Sequence, residues 1–151
     1  MSTHLISRRY QVEISDNQEN FIGQGGMGTV YIGRDVTDNT PVAVKQLKSD
    51  IILQDPEIVR RFALEGEALR RLNHPNIVKM LAAEDCDNSH FLVMEYVGGG
   101  SLRDVLDETP RLTIQRALYI ALDLADALTR AHRLKILHRD IKPANVLIAE
   151  D

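Results

Sequence analysis

The stretch that decides the fold runs Ile136-Leu137-His138-Arg139-Asp140-Ile141-Lys142-Pro143-Ala144-Asn145-Val146-Leu147-Ile148. Two short apolar runs flank a polar turn, and apolar runs of this length bounded by turn residues predict short strands. Pro143 disfavours a helix within the turn because proline lacks an amide hydrogen. The turn is therefore expected to expose Asp140, Lys142 and Asn145, side chains that can accept a proton, bind a phosphate and ligate a metal ion.

A glycine-rich segment contains a second group of residues that could take part in binding or catalysis. Its spacing is Gly23-x-Gly25-x-x-Gly28 with an additional Gly26, which is weak evidence by itself because flexible turns have the same pattern. Residues 29–32 are β-branched and aromatic, so they predict a strand, whereas a dinucleotide-binding turn would open a helix. Glycines between two antiparallel strands predict a flap whose backbone amides can approach phosphate oxygens.

A lysine and a glutamate are expected to form an ion pair near this flap. Lys45 alternates with apolar residues in a predicted strand over residues 42–47, and a solvated lysine on an edge strand is the alternative interpretation. A helix is predicted over residues 56–72, and Glu65 falls within its apolar stripe. Because a carboxylate on an inward face needs a cationic partner, Glu65 is a better partner for Lys45 than Glu67, which projects from the opposite face.

Other periodic segments divide the chain into predicted elements and domains. Residues 1–9 are expected to be frayed, and Gly98-Gly99-Gly100 marks the boundary between domains at residues 10–97 and 98–151. The predicted strands cover residues 10–14, 77–86 and 90–97. Asp55 and Ser101 are the predicted N-caps of two helices, and a third helix is predicted to begin at Thr113. The helix from Thr113 to Arg133 is apolar on most of its surface, so it needs covering, and left uncovered it is expected to promote self-association.

Composition narrows the class of protein. The chain has 151 residues, 44% hydrophobic content and a formal net charge of −4, which argues weakly against a nucleic-acid partner. A single cysteine, Cys86, excludes an internal disulfide framework and is typical of a reducing compartment. Neither a signal peptide nor an apolar run of the ~20 residues that a membrane-spanning helix needs is present within residues 1–151. A cytoplasmic location is expected, with a membrane anchor beyond residue 151 left open.

With these motifs in order, the chain resembles serine/threonine protein kinases of the bacterial, eukaryotic-like type. The resemblance is carried by residues 23–30, 42–45, 91–97 and 138–145, together with Glu65. It implies an α+β, protein-kinase-like fold, in which a complete small lobe of antiparallel sheet plus one helix precedes a truncated helical large lobe. It also implies phosphoryl transfer from Mg-ATP to serine or threonine hydroxyls of a protein substrate.

The same resemblance assigns roles to individual residues. Asp140 accepts the proton of the substrate hydroxyl, Lys142 stabilises the transferring phosphoryl group and Asn145 binds Mg²⁺. Lys45, held by Glu65, meets the α- and β-phosphates of ATP. The adenine is sandwiched by Val30, Ala43 and Leu147 and hydrogen-bonded by the backbones of Glu95 and Val97. The full set of implied nucleotide-binding residues is Ile22, Gly23, Gly25, Gly26, Gly28, Val30, Ala43, Lys45, Met94, Glu95, Val97 and Leu147.

Two departures from the kinase pattern affect the expected function. Tyr10 lies thirteen residues before Gly23, a longer separation than relatives show, which predicts a bulge or loop at residues 15–20. The family's Asp-Phe-Gly motif does not occur in the printed sequence, so the chain is expected to be an N-terminal fragment with little or no transferase activity of its own. A non-catalytic nucleotide-binding or interaction module ending at residue 151 is the alternative, although the intact Lys45 and Asp140 disfavour it. A small-molecule phosphotransferase of kinase-like fold is a third reading, which Lys142 and the glycine-rich segment disfavour.

Overall fold

The computed structural model describes residues 2–14, 20–25, 28–47, 52–53, 55, 57–86 and 89–149. The chain divides into two units, the first formed by Met1–Arg70 and Val78–Tyr96 and the second by Arg71–Ile77 and Val97–Asp151. The strands are β1 (Ser2–Ile6), β2 (Tyr10–Ile14), β3 (Phe21–Gly25), β4 (Gly28–Asp35), β5 (Pro41–Leu47), β6 (Met80–Cys86) and β7 (Ser89–Glu95). The helices are α1 (Glu57–Arg71), α2 (Leu102–Glu108) and α3 (Ile114–Arg133), and a turn of 3-10 helix covers Pro143–Asn145.

The strands of the first unit form one antiparallel sheet. Its order is β1-β2-β4-β5-β7-β6, and β3 also pairs with β4. Thus β2 and β3 lie along the same partner strand, β2 opposite residues 33–35 and β3 opposite residues 28–31. The loop or bulge predicted at residues 15–20 falls outside the described residues except for Asn20, whose carbonyl oxygen accepts a hydrogen bond of 2.7 Å from the Ile32 amide.

The two faces of this sheet bury separate apolar clusters. One face carries a cluster of Ile6, Tyr10, Val12, Tyr31, Val42, Val44, Phe91 and Val93. Helix α1 packs on the other face, where Leu47, Ile58, Phe62 and Leu92 form the second cluster. Because side chains alternate across a strand, residues next to Val44 and Val93 in β5 and β7 face the helix, and Lys45 is one of them.

The prediction that residues 1–9 are frayed is wrong for β1. Its residues pair with β2 in a continuous register from Ser2 opposite Ile14 to Ile6 opposite Tyr10. Ile6 is only 1% exposed, and the His4 ring lies 5.2 Å from the Phe91 ring. The strand is stabilised by these tertiary contacts, which its short and mostly polar sequence does not signal.

Helix α1 begins as the sequence predicts. The Asp55 carboxylate accepts a hydrogen bond of 3.1 Å from the Glu57 amide, and the Asp55 carbonyl accepts one of 3.0 Å from Ile58. Asp55 therefore satisfies two backbone donors that the first turn of a helix leaves without partners. The predicted N-cap is confirmed.

In the second unit, α2 starts at its predicted cap Ser101, whereas Thr113, predicted as the first residue of α3, is its N-cap. Ser101 and Asp104 form a capping box at α2, and the Thr113 hydroxyl oxygen accepts a hydrogen bond of 3.2 Å from the Arg116 amide at α3. Ala127 and Ala131 of α3 are buried, whereas its large side chains Ile114, Leu118, Tyr119 and Leu122 are exposed. Within the described residues, no helix is long and apolar enough to cross a membrane.

The polar turn at residues 136–148 is built differently from the prediction. Instead of two short strands, it contains the 3-10 turn Pro143–Asn145 and a single bridge that joins Leu147 to Ser101. Proline occupies the first position of that turn, where its missing amide hydrogen costs nothing because no carbonyl would receive it. A run of two or three apolar residues forms too few ladder hydrogen bonds to persist as a strand without a longer partner.

Candidate active site

The sheet register of the first unit brings five predicted nucleotide-binding residues onto one face. Val30 lies opposite Lys45, and Ala43 lies opposite Met94. Directly opposed residues of antiparallel strands share a face, as do residues two apart in one strand, so Gly28 joins Val30 on this face. Pairing across three adjacent strands therefore places the lysine and the apolar residues side by side.

Glycine occupies the positions next to this face for different structural reasons. At Gly28 a Cβ atom would collide with the carbonyl oxygen of Gln46, so the close packing of β4 on β5 requires a glycine. At Gly23 an added Cβ would meet nothing within 4 Å among the residues that the structure describes, and these residues leave the position open to an approaching ligand. Gly25 lies opposite Gly28 and Ile22 is exposed, whereas Gly26 lies outside the described residues.

The ion pair expected between Lys45 and Glu65 is present. The Lys45 Nζ atom lies 2.7 Å from Glu65 Oε1 and 2.8 Å from Glu65 Oε2. The two side chains are 14% and 29% exposed, so the pair is neither fully buried nor freely solvated. The Lys45 ammonium also lies 5.9 Å from the centre of the Phe62 ring.

The end of β7 is fixed by the chain that leads into β6. The Glu95 amide donates a hydrogen bond of 3.0 Å to the Lys79 carbonyl, and the Glu95 carboxylate accepts one of 2.7 Å from the Lys79 amide. These contacts occupy the amide of Glu95, so a nucleotide contact from its backbone would have to use the carbonyl oxygen. The remaining two residues implied to bind nucleotide, Val97 and Leu147, belong to the second unit.

In the second unit the polar turn gathers Asp140, Lys142 and Asn145. Lys142 Nζ lies 2.9 Å from Asp140 Oδ2. The Asn145 amide nitrogen donates to the Asp140 carbonyl at 2.9 Å and to its carboxylate at 3.0 Å. The hydrogen bond from Lys142 holds the pKa of the Asp140 carboxyl below its ordinary value, and the one from Asn145 acts in the same direction. Asp140 is therefore ionised at neutral pH.

Backbone hydrogen bonds to the start of α2 hold this turn in place. The Leu102 amide donates to the Val146 carbonyl at 2.7 Å, and the Ile148 amide donates to the Gly100 carbonyl at 2.9 Å. Arg139, directly before Asp140, has a left-handed φ of 64°, a conformation that costs an ordinary residue about 1 kcal/mol. Before the turn, the Ile136 amide donates to the Ala131 carbonyl at 3.0 Å. Backbone hydrogen bonds on both sides of the turn therefore compensate for this cost.

The residues present suit a phosphorylated nucleotide with its metal ion. In the first unit, Lys45 is a cation of the kind that pairs with phosphates, and Gly23 lies on the same sheet. In the second unit, Lys142 is another such cation. The Asn145 side chain uses its nitrogen as a donor, which leaves its amide oxygen, a ligand atom that Mg²⁺ accepts in proteins.

Comparison with known proteins decides the family. The protein kinase domain model matches residues 17–151. The chain belongs to the protein kinase family. This confirms the predicted fold class, an α+β kinase-like fold whose small lobe combines an antiparallel sheet with one helix.

The relatives of this kinase chain include several bacterial proteins. It is 42% identical over 130 residues to a protein named probable serine/threonine-protein kinase from Clostridium perfringens, over 86% of this chain and 19% of that protein. It is 38% identical over 143 residues to the serine/threonine-protein kinase PrkC of Bacillus subtilis, over 95% of this chain and 21% of PrkC. With PknB of Mycobacterium tuberculosis it shares 37% identity over 142 residues, 90% of this chain and 22% of PknB. The chain spans about a fifth of the length of these relatives.

Sequence reasoning missed two features of the site. Phe62 was assigned only to the apolar stripe of α1, although it also contacts Lys45; its position three residues before Glu65 is a signal that could have suggested this contact. The anchoring of the polar turn by Gly100 and Leu102 was also missed. No sequence pattern announces it, because backbone hydrogen bonds depend on the fold rather than on side-chain identity.

Proposed function

We propose that this kinase site transfers the γ-phosphoryl group of ATP to serine or threonine hydroxyls of protein substrates. The observation that carries the proposal is the cluster at the polar turn, where a cation and a carboxamide each lie within 3.0 Å of an ionised carboxylate. Such a cluster is suited to orienting a hydroxyl group beside a phosphoryl group. The names of the bacterial relatives support serine and threonine as the acceptors.

The proposed small lobe, residues 10–97, holds the nucleotide. Lys45 binds the α- and β-phosphates, and Glu65 keeps its ammonium in place before the nucleotide arrives. The glycine-rich residues 23–28 give backbone amides access to the phosphates. Val30, Ala43 and Met94 present apolar surface to the base.

The start of the proposed large lobe, residues 98–151, supplies the groups that act on the acceptor. The Asp140 carboxylate accepts a hydrogen bond from the substrate hydroxyl and then its proton as the new P–O bond forms. At the same time the bond between the γ-phosphorus and the bridging β-phosphate oxygen breaks, and ADP leaves. Lys142 moves its positive charge towards the transferring phosphoryl group, and the oxygen of Asn145 binds Mg²⁺. When bound, Mg²⁺ neutralises the charge that develops on the phosphate oxygens.

The test measures phosphate transfer and nucleotide binding separately. The 151-residue chain and the product of its complete open reading frame are each incubated with radiolabelled ATP, Mg²⁺ and myelin basic protein as acceptor. We expect label on serine or threonine with the complete product, and a loss of about 100-fold or more in Asp140→Asn without a change in ADP affinity. An Asp140→Asn variant as active as the wild type would refute the proposal. ADP binding without transfer by either protein would instead support a non-catalytic nucleotide-binding module.

We also propose that the protein is cytoplasmic and that the isolated chain self-associates. A cytoplasmic location is supported by the single cysteine, Cys86. The exposed large side chains of α3, among them Leu118 and Leu122, support self-association of the isolated chain through this face.

A further inference from the structure

Phe62 lies in a position that links the core of the first unit to the ion pair. It is 3% exposed and belongs to the cluster with Leu47, Ile58 and Leu92. Residues three apart on a helix are neighbours on one face, so Phe62 and Glu65 project from the same side of α1. The rotation of α1 that buries Phe62 is therefore the rotation that directs Glu65 towards Lys45.

The contacts of Phe62 go beyond filling the core. The Lys45 ammonium lies over its ring at 5.9 Å from the centroid, within the range of a cation–π interaction. The same ammonium contacts both carboxylate oxygens of Glu65. Lys45 is thus held by a carboxylate and by an aromatic ring, and both come from one helix.

We propose that Phe62 is a positioning residue for the phosphate-binding lysine. It fixes the rotation of α1 and, through its ring, holds the Lys45 ammonium where it can meet a nucleotide phosphate. This inference rests on the proposed function, because it assumes that Lys45 binds the phosphates. It assigns to a core residue an effect on phosphate binding that acts through Lys45, and no effect on the base.

Ile58 provides a matched control. It is also buried in the cluster with Phe62, at 5% exposure, but it lies on α1 seven residues before Glu65, about 10 Å away along the helix. A substitution at Ile58 therefore weakens the same core without touching the lysine. Phe62→Tyr provides a rescue variant, because it keeps the aromatic ring, and Phe62 and His90 border a groove of about 310 Å³.

The experiment compares two ligands that differ only in phosphates. Binding of ADP and of adenosine is measured by titration calorimetry in Mg²⁺ buffer for the wild-type chain, Phe62→Leu, Phe62→Tyr and Ile58→Val, with unfolding midpoints recorded for each. We expect Phe62→Leu to weaken ADP binding about threefold to tenfold while adenosine binding is unchanged. Phe62→Tyr and Ile58→Val are expected to keep the wild-type ratio of ADP to adenosine affinity.

The outcomes separate this inference from the proposed function. A wild-type chain that binds ADP no more tightly than adenosine overturns the role of Lys45 and this inference with it. A wild-type preference for ADP that Phe62→Leu retains in full overturns the inference alone. An equal loss of ADP preference in Ile58→Val also overturns it, since the effect would then come from general loosening of the core.

Discussion

The Lys45–Glu65 pair allows the site to be tested through a single charge. Glu65→Gln keeps the size of the side chain and one hydrogen-bonding oxygen but removes the negative charge. At the observed separations of 2.7 and 2.8 Å, the attraction between two unit charges is about 6 kcal/mol at an effective dielectric constant of about 20. The loss of solvation of two groups that are only 14% and 29% exposed cancels most of that attraction.

We therefore expect Glu65→Gln to lower the free energy of unfolding by about 1 kcal/mol, which corresponds to a drop of about 2–4 °C in the melting temperature. Nucleotide binding should suffer more than stability. A lysine held in one rotamer has already lost conformational freedom worth about 1.5–2 kcal/mol, and the variant has to lose it on binding. ADP affinity is expected to fall about tenfold, and adenosine affinity is not.

The assay is a double-mutant cycle with a matched control. Thermal unfolding and ADP binding are measured for the wild type, Lys45→Met, Glu65→Gln and the double variant. The control is Glu67→Gln, which removes the same charge from an exposed position on the same helix. Effects of Lys45→Met and Glu65→Gln that simply add, or a loss of ADP affinity in Glu67→Gln as large as in Glu65→Gln, would refute this account of the pair.

Three further predictions follow from the site. Gly28→Ala should destabilise the chain by about 1–3 kcal/mol in chemical unfolding, because its Cβ would collide with the Gln46 carbonyl, and a wild-type unfolding curve would contradict this. The pKa of Asp140 should lie below its ordinary value of 3.8 in NMR titration and should rise in Lys142→Met. Because the folded-state pKa is lower than the unfolded-state pKa, ionised Asp140 stabilises the fold at pH values above its unfolded-state pKa. This stabilisation is lost as the pH falls through the folded-state pKa. Leu122→Glu, at a side chain 63% exposed, should reduce self-association in light scattering without lowering the melting temperature, and unchanged association would argue against the α3 face.

Local chemistry made part of this fold predictable. The caps at Asp55 and Ser101 could be predicted because a short polar side chain before an apolar repeat has few other roles. Glu65 could be chosen over Glu67 because only one of them lies on the buried face of α1. In each case the decisive interaction joins residues close in sequence or follows directly from helical periodicity.

The failures have the opposite cause. The apolar residues flanking the polar turn were assigned to strands, but a strand needs a partner strand. Local sequence does not reveal that Leu147 pairs with Ser101 through a single bridge instead. Phe62 looked like one member of an apolar stripe, and its contact with Lys45 arises only when α1 packs on β5. Tertiary partners decide both features, and they lie far away in sequence.

Strand β1 turns this argument into a final prediction. If its tertiary contacts are what order it, Ile6→Ala should lower the free energy of unfolding by about 2–4 kcal/mol, because Ile6 is 1% exposed in the sheet core. Leu5→Ala is the matched control, since the neighbouring Leu5 side chain is 53% exposed and its truncation should lower the free energy of unfolding by less than about 0.5 kcal/mol. Both variants are compared by urea unfolding. Equal stability of the two would mean that these residues are frayed in solution, as their sequence alone suggests, and that the sheet begins at β2.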